Sequence, residues 1–192
     1  GTIESAVNKL NKFSDLKGMK FEEFNDLDVF DSKIGEWGGN VVVALQFALL
    51  KGMGDGKVWK FLNDKAKSLP TPLGNCIGGG KHTRKKGVDV QEFLLIPTGD
   101  TFEERMTVND YVYRKMGKAL GTKEKTDEGG YMPEMTDMEV FDFMQKFTQN
   151  KDNSLGMDVS FGVDMASSSY FDGKFYSYNN FSSMYPVKKF TR

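Results

Sequence analysis

Cys76 is the only cysteine among 192 residues, so no internal disulfide framework can form, and a reducing compartment suits the chain. Histidine is as scarce, with His82 alone. One of each is too few for a zinc site made from those ligand types, and neither a Ser–His–Asp arrangement nor a dinucleotide fingerprint occurs. A charge excess is missing too. The 26 basic residues face 27 acidic ones for a net of −1, which argues against a nucleic-acid binder that works by neutralising phosphates. No apolar run approaches the roughly 18–20 residues of a membrane span. The longest, Val41–Leu50, is broken by Gln46 and reads as a buried helix. The first apolar cluster is short and flanked by Lys9 and Lys12, unlike a secretory signal. These absences predict a cytosolic protein, and 39% apolar residues suffice for a core. The sequence opens on Gly1 and ends on Phe190-Thr191-Arg192, where Thr191 could cap a helix that does not follow; these ends fit either a natural C-terminus or an excised segment.

Helical spacing dominates residues 1–68. Ile3, Val7 and Leu10 predict a helix over 2–12, and Phe21, Phe24 and Leu27 predict one over 20–30. Gly35, Gly38 and Gly39 suggest a loop, after which Asn40 caps a helix over 41–51, apolar nearly all round and therefore buried. A shorter helix is expected from Val58 to Ala66, ended by Pro70 and Pro72. Residues 69–192 read as α/β. Asp89 to Pro97 predicts a strand around Phe93-Leu94-Leu95-Ile96. Thr101-Phe102-Glu103-Glu104 has capping-box spacing and starts a helix to about Leu120; Thr136-Asp137-Met138-Glu139 repeats the signature. Met157 to Met165 alternates, with Val159, Phe161 and Val163 on one side and Ser160, Gly162 and Asp164 on the other. Asp172-Gly173 marks a hairpin turn. Strand, helix, helix, strand is an α/β layered order, compatible with a barrel or an open sheet.

Four places could carry chemistry. Asn75 through Thr83 is glycine-rich but fails the phosphate-loop pattern, because Asn75 and His82 stand where it needs Gly and Ser or Thr. It reads either as a surface loop or as a lid that brings His82 to a ligand. Glu92 interrupts an apolar strand, so it faces a polar cavity or lies on an edge strand facing water. Asp127-Glu128-Gly129-Gly130 has turn composition, with glycines that permit close approach. Asp164 ends its strand on the less apolar face, where it either serves a hard cation such as Mg²⁺ or caps the next turn.

In order, these segments resemble the enolase family. Leu69-Pro70-Thr71-Pro72 with Asn75 and Gly78-Gly79-Gly80-Lys81-His82 is similar to its Leu-Pro-x-Pro…Asn-x-x-x-Gly-Gly-x-His stretch. Val90-Gln91-Glu92-Phe93 and Ile96-Pro97-Thr98-Gly99 resemble the strand that follows, and Asp127-Glu128-Gly129-Gly130 its Asp-Glu-Gly-Gly. Gly162-Val163-Asp164-Met165-Ala166-Ser167-Ser168 resembles its metal-binding strand, and Asp172-Gly173-Lys174 falls on its Lys-Asp-Gly-Lys turn. Upstream, Gly38-Gly39-Asn40 to Leu50 and Val58-Trp59-Lys60-Phe61-Leu62 are similar to the helices that end its capping domain.

The resemblance implies an α/β fold: a partial enolase-type barrel over 69–192, preceded over 1–68 by helices of the N-terminal capping domain. It implies Mg²⁺-dependent interconversion of 2-phosphoglycerate and phosphoenolpyruvate. His82 would close over the substrate phosphate, Glu92 and Glu128 would handle the departing hydroxyl with Glu128 as general acid, and Asp164 would be one of three carboxylate ligands of Mg²⁺. A homodimer of the longer form, or a complementing C-terminal chain, is the implied partner. The sequence departs from the family pattern in three places. His82 to Glu92 is one residue longer than in many members, Ser169 replaces a usual Glu, and Gly80-Lys81 precedes the histidine. The family's other two metal carboxylates, its base lysine, a second lysine and histidine, and its substrate-loop serine are not found in the sequence. The implied alternatives are an enolase that holds only part of its site and an inactive enolase-like binding module.

Overall fold

The computed structural model describes residues 2–12, 16–83, 87–149, 156, 158–185 and 187–191, so Gly1, Met157 and Arg192 lie outside the described residues. Two compact units result, Gly1–Ser68 and Leu69–Arg192.

The first unit holds α1 (Ile3–Lys12), a 3-10 helix (Phe24–Lys33), α2 (Ile34–Trp37), α3 (Gly39–Met53) and α4 (Val58–Leu62). Its core joins Leu27, Phe30, Trp37, Val41, Val42 and Leu50, with the Phe30 ring 5.7 Å from Phe21 and 6.4 Å from Trp37. Four expectations need correcting. The helix expected over 20–30 starts later, because the Asp26 carboxylate accepts from the N–H groups of Glu22 (2.7 Å) and Glu23 (2.8 Å) and fixes the start after Glu23. The expected Gly35–Gly39 loop shrinks to Gly38, whose φ of 89° suits glycine and whose carbonyl accepts from Val41 and Val42; Asn40 therefore lies inside the first turn of α3. Helix α3 is not buried all round: Val43 and Phe47 are exposed, and Gln46 reaches Leu27 O and the Asp31 carboxylate, both at 3.0 Å. The helix expected to reach Ala66 stops at Leu62, where Asn63 is extended and its side chain accepts from Lys65 N at 3.1 Å.

The second unit is built on β1 (Gly74–Gly78), β2 (Glu92–Pro97) and β3 (Val159–Asp164) in the spatial order β1-β2-β3, with β2 antiparallel to both neighbours. Helices α5 (Phe102–Leu120) and α6 (Asp137–Gln149) pack on it, α5 against β1 and β2 and α6 against β3. Both capping boxes form: Thr101 Oγ1 accepts from Glu104 N at 3.1 Å while Glu104 accepts from Thr101 N at 3.0 Å, and Thr136 and Glu139 repeat the exchange at 3.4 and 2.8 Å. Alternation sorts the side chains. Phe93 and Leu95 turn toward the helices and join Cys76, Ile77, Val108, Val112, Met116, Val140 and Met144 in the core. Glu92, Leu94 and Ile96 turn to the other face, in register with Asp164, Gly162 and Ser160. That apolar and polar division of β3 is the one its sequence predicted.

Three readings of this unit change. Residues 74–78, expected as glycine-rich loop, are a strand; with only Cys76 and Ile77 apolar, it carries no alternation to read. Strand β2 starts at Glu92, not Asp89, because the N–H groups of Asp89 and Val90 are taken by the buried Asp137 carboxylate (2.7 and 3.2 Å). The Asp172-Gly173 turn forms, its carboxylate accepting from Lys174 and Phe175 N–H at 2.9 and 2.7 Å. It closes the expected hairpin, with Phe171 paired antiparallel to Tyr176 and Ser177 N donating to Tyr170 O at 2.9 Å, and the strand it starts, β4 (Phe175–Tyr178), also pairs with β5 (Lys188–Thr191). Thr191 therefore sits in a strand opposite Phe175, not at a helix cap. Among the described residues no helix is long and apolar enough to cross a membrane.

Candidate active site

Because β2 runs against its neighbours, its first residue lies beside the last residues of β1 and β3. The register puts Gly78, Glu92 and Asp164 in one row across the sheet. Glu92 thus stands on a central strand, which overturns the edge-strand reading. Beyond β1 the pairing continues through the backbone, with Gly79 N donating to Gln91 O and Gly80 N to Val88 O, both at 2.9 Å. One 3-10 turn, Gly80–His82, then delivers the histidine to the same end. Gly79 has no room for a side chain: a Cβ there would lie 2.2 Å from Val88 O and 2.4 Å from Val90 O.

The acidic turn arrives from the other side of β1. Thr126 N donates to Gly130 O (2.8 Å) and Gly129 N to Thr126 O (3.0 Å), with Gly129 at φ 84°. Gly78 N donates to Tyr131 O (3.1 Å) and Tyr131 N to Cys76 O (2.9 Å), stitching the turn to β1. A Cβ on Gly130 would fall 2.6 Å from Gly78 N and 2.8 Å from Asn75 Oδ1. The close approach that this glycine permits is therefore to the strand itself.

Three of the four predicted residues meet directly. His82 Nδ1 lies 3.0 Å from Asp127 Oδ1, and Nε2 lies 3.6 Å from Glu128 Oε1. Glu92 lies beside Glu128, close enough for each to feel the other's charge, and accepts from Asn75 Nδ2 at 3.3 Å. Burial first, then the hydrogen bond and charge of Glu128, then the charge of Asp164, push the Glu92 carboxyl above its ordinary range, while His82 pulls it back. Asp164 stays at the rim: it is exposed, and Oδ1 accepts from Ala166 N at 2.9 Å, which steadies Ala166 at φ 42°. The turn-capping alternative is thus realised at Asp164.

The metal expectation tests less well on these residues. Among the described residues no group of three or more His, Cys, Asp or Glu is placed to hold a metal ion. Asp164 is one candidate ligand for Mg²⁺, and a single exposed carboxylate does not make an octahedral site.

Two contributors were missed in the sequence, Asn75 and Asp127. Both sit inside the motifs quoted above, and a polar side chain adjoining a candidate acid was the available signal. A third polar feature lies deeper. Asp137 is buried, accepts from Asp89 and Val90, and has its carboxyl raised to about 6, chiefly by burial. It anchors the segment that returns from the histidine turn into β2. Asp89 in turn accepts from the N–H groups of Asn179 (2.6 Å) and Asn180 (2.7 Å).

Helices pack on one face of this sheet, and acids and a histidine gather at the C-terminal ends of β1 and β3, where a β/α barrel keeps its site, with β2 running antiparallel between them. The family description "Enolase, C-terminal TIM barrel domain" matches residues 66–189, and the chain belongs to the enolase family, as a partial barrel. It is similar to proteins named enolase from Methanothermobacter thermautotrophicus (30% identical over 182 residues), Methanosphaera stadtmanae (32% over 178) and Pyrobaculum aerophilum (33% over 173). The matches take in 86%, 84% and 84% of this chain but 44%, 43% and 40% of those relatives. The chain therefore spans less than half the length of the curated relatives it matches.

Proposed function

We propose that this chain carries part of the active site of a phosphopyruvate hydratase, a carbon–oxygen lyase of glycolysis and gluconeogenesis that interconverts 2-phosphoglycerate and phosphoenolpyruvate. The observation that carries this reading is the row at the end of β1, β2 and β3, where Glu92, Glu128 and His82 converge beside Asp164. Loss of hydroxide from carbon needs an acid that keeps a proton at neutral pH. In this reading Glu128 hands the proton to the departing hydroxyl and Glu92, whose carboxyl is raised by burial and by Glu128 beside it, fixes that group's position. His82, on a short turn at the same edge, faces the substrate phosphate. Asp164 would be the one ligand this chain contributes to Mg²⁺, which would supply Lewis-acid stabilisation of negative charge on the substrate. Residues 1–68 are the helical end of a capping domain, and the longer form is a cytoplasmic homodimer or is completed by a C-terminal chain.

The test has two arms. The 192-residue polypeptide alone with Mg²⁺ should form no phosphoenolpyruvate from 2-phosphoglycerate, followed by its absorbance. Adding the remaining part of an enolase barrel should restore turnover, and Glu128→Gln should then lower kcat by about 10²–10⁴-fold. Turnover by the chain alone refutes the partial-site reading. No turnover after complementation favours an inactive module, and an undiminished Glu128→Gln removes Glu128 from the acid role.

A further inference from the structure

Two consecutive carboxylates straddle the only imidazole in the sequence. Asp127 meets Nδ1 at 3.0 Å, and Glu128 faces Nε2 at 3.6 Å, an ion-pair distance just outside hydrogen bonding. Backbone, not side-chain freedom, sets this placement. The histidine turn leaves β1 directly after Gly78, and the acidic turn is tied to the same strand through Gly78 N–Tyr131 O and Tyr131 N–Cys76 O. Thr126 holds the turn closed, its hydroxyl accepting from Gly130 N at 3.2 Å. His82 is held from its own side, where His82 N donates to Gly79 O at 3.2 Å and Thr83 Oγ1 donates to Gly80 O at 3.0 Å.

A carboxylate only accepts hydrogen bonds, and a neutral imidazole carries its proton on one nitrogen. The 3.0 Å contact therefore needs the proton on Nδ1. We infer that Asp127 is a positioning residue that fixes the tautomer of His82, holding the proton on Nδ1 and leaving the Nε2 lone pair toward Glu128. The ring then takes up a proton on the Glu128 side, or accepts one from it, and cannot donate there until it is charged. The catalytic meaning of this rests on the function proposed above; the tautomer itself does not.

That separation shapes the experiment. His82 is the sole histidine, so ¹⁵N-histidine labelling of the 192-residue chain gives one imidazole spin system, read at a pH where the ring is neutral. The wild type should show a pyrrole-like Nδ1 and a pyridine-like Nε2. Asp127→Ala should lose the Nδ1–H form and revert to the Nε2–H form that a free histidine side chain favours, and Asp127→Glu should restore it at least in part. A wild type already in the Nε2–H form, or an Asp127→Ala spectrum unchanged from wild type, overturns the assignment. The Asp127 side chain is 76% exposed, so the variants should keep the fold, which overlay of their amide spectra checks. Should a variant unfold, the wild-type spectrum still decides. A failed tautomer test leaves the complementation result standing, and a failed complementation leaves the tautomer result standing.

Discussion

Replacing Gly79 by alanine should loosen the second unit, and the cost can be worked from neighbouring atoms. The new Cβ would lie 2.2 Å from Val88 O, 2.4 Å from Val90 O and 2.5 Å from Val88 Cγ2. Two of those three atoms are backbone oxygens, so no rotamer change relieves the clash. Separation requires the Val88–Gln91 segment to move off Gly79 and Gly80. Such a movement stretches Gly79 N–Gln91 O and Gly80 N–Val88 O, both 2.9 Å long. Overpacking costs about 1–3 kcal/mol, and each backbone hydrogen bond lost adds about 1 kcal/mol, giving about 3–5 kcal/mol in all. With a urea m-value of about 1–3 kcal/mol/M, the midpoint should fall by at least about 1 M. Gly87→Ala in the same loop is the control, since the nearest atoms to its Cβ belong to the Thr83 side chain, Cγ2 at 3.4 Å and Cβ and Oγ1 at 3.8 Å, ordinary contacts. Urea unfolding followed by tyrosine and tryptophan fluorescence, with far-ultraviolet circular dichroism as a second probe, reads both variants. A Gly79→Ala midpoint equal to that of Gly87→Ala would refute the packing argument. It would also remove the reason for a glycine before the histidine turn.

Asp137 should make stability depend on pH with an unusual sign. Its folded carboxyl, raised from 3.8 to about 6, keeps a proton that the unfolded chain has lost between those values, so stability should fall as pH rises from about 4 to 6. Asp137→Asn keeps the oxygen that Asp89 N and Val90 N need and should flatten that slope; an unchanged slope in chemical denaturation across this range refutes the assignment. Cys76 is fully buried, donates to Phe93 O at 3.1 Å and has its thiol pushed up to about 12, mainly by burial. It should ignore a thiol reagent in the native protein and react in full after denaturation; rapid native labelling would contradict the core placement.

Strong local signals carried much of this protein. The capping boxes at Thr101 and Thr136 fixed where two helices start, because both partners of each exchange lie within four residues. Alternation along Val159–Asp164 separated the core face from the polar face for the same reason: a strand's period is a local property. The ordered motifs around His82, Glu92, Glu128 and Asp164 carry the resemblance to the enolase family in the sequence itself. Weak or non-local signals were misread. Strand β1 has two apolar residues between glycines and asparagine, and its identity comes from pairing with a segment about 17 positions later. The start of β2 depends on Asp137, nearly 50 residues away, whose carboxylate claims two N–H groups that a strand would otherwise use. The end of α4 and the cap of α3 turned on backbone choices at Asn63 and Gly38 that composition alone left open.

By itself the sequence determined which titratable residues are available at the candidate site, and in what order they come. Tertiary structure alone decided that they meet. The antiparallel run of β2 brings Glu92 to the ends of β1 and β3, and stitching of the acidic turn to β1 sets Asp127 and Glu128 on opposite sides of one imidazole. Neither follows from spacing along the chain, because strand direction and register are fixed by long-range hydrogen bonds whose partners the local sequence does not name.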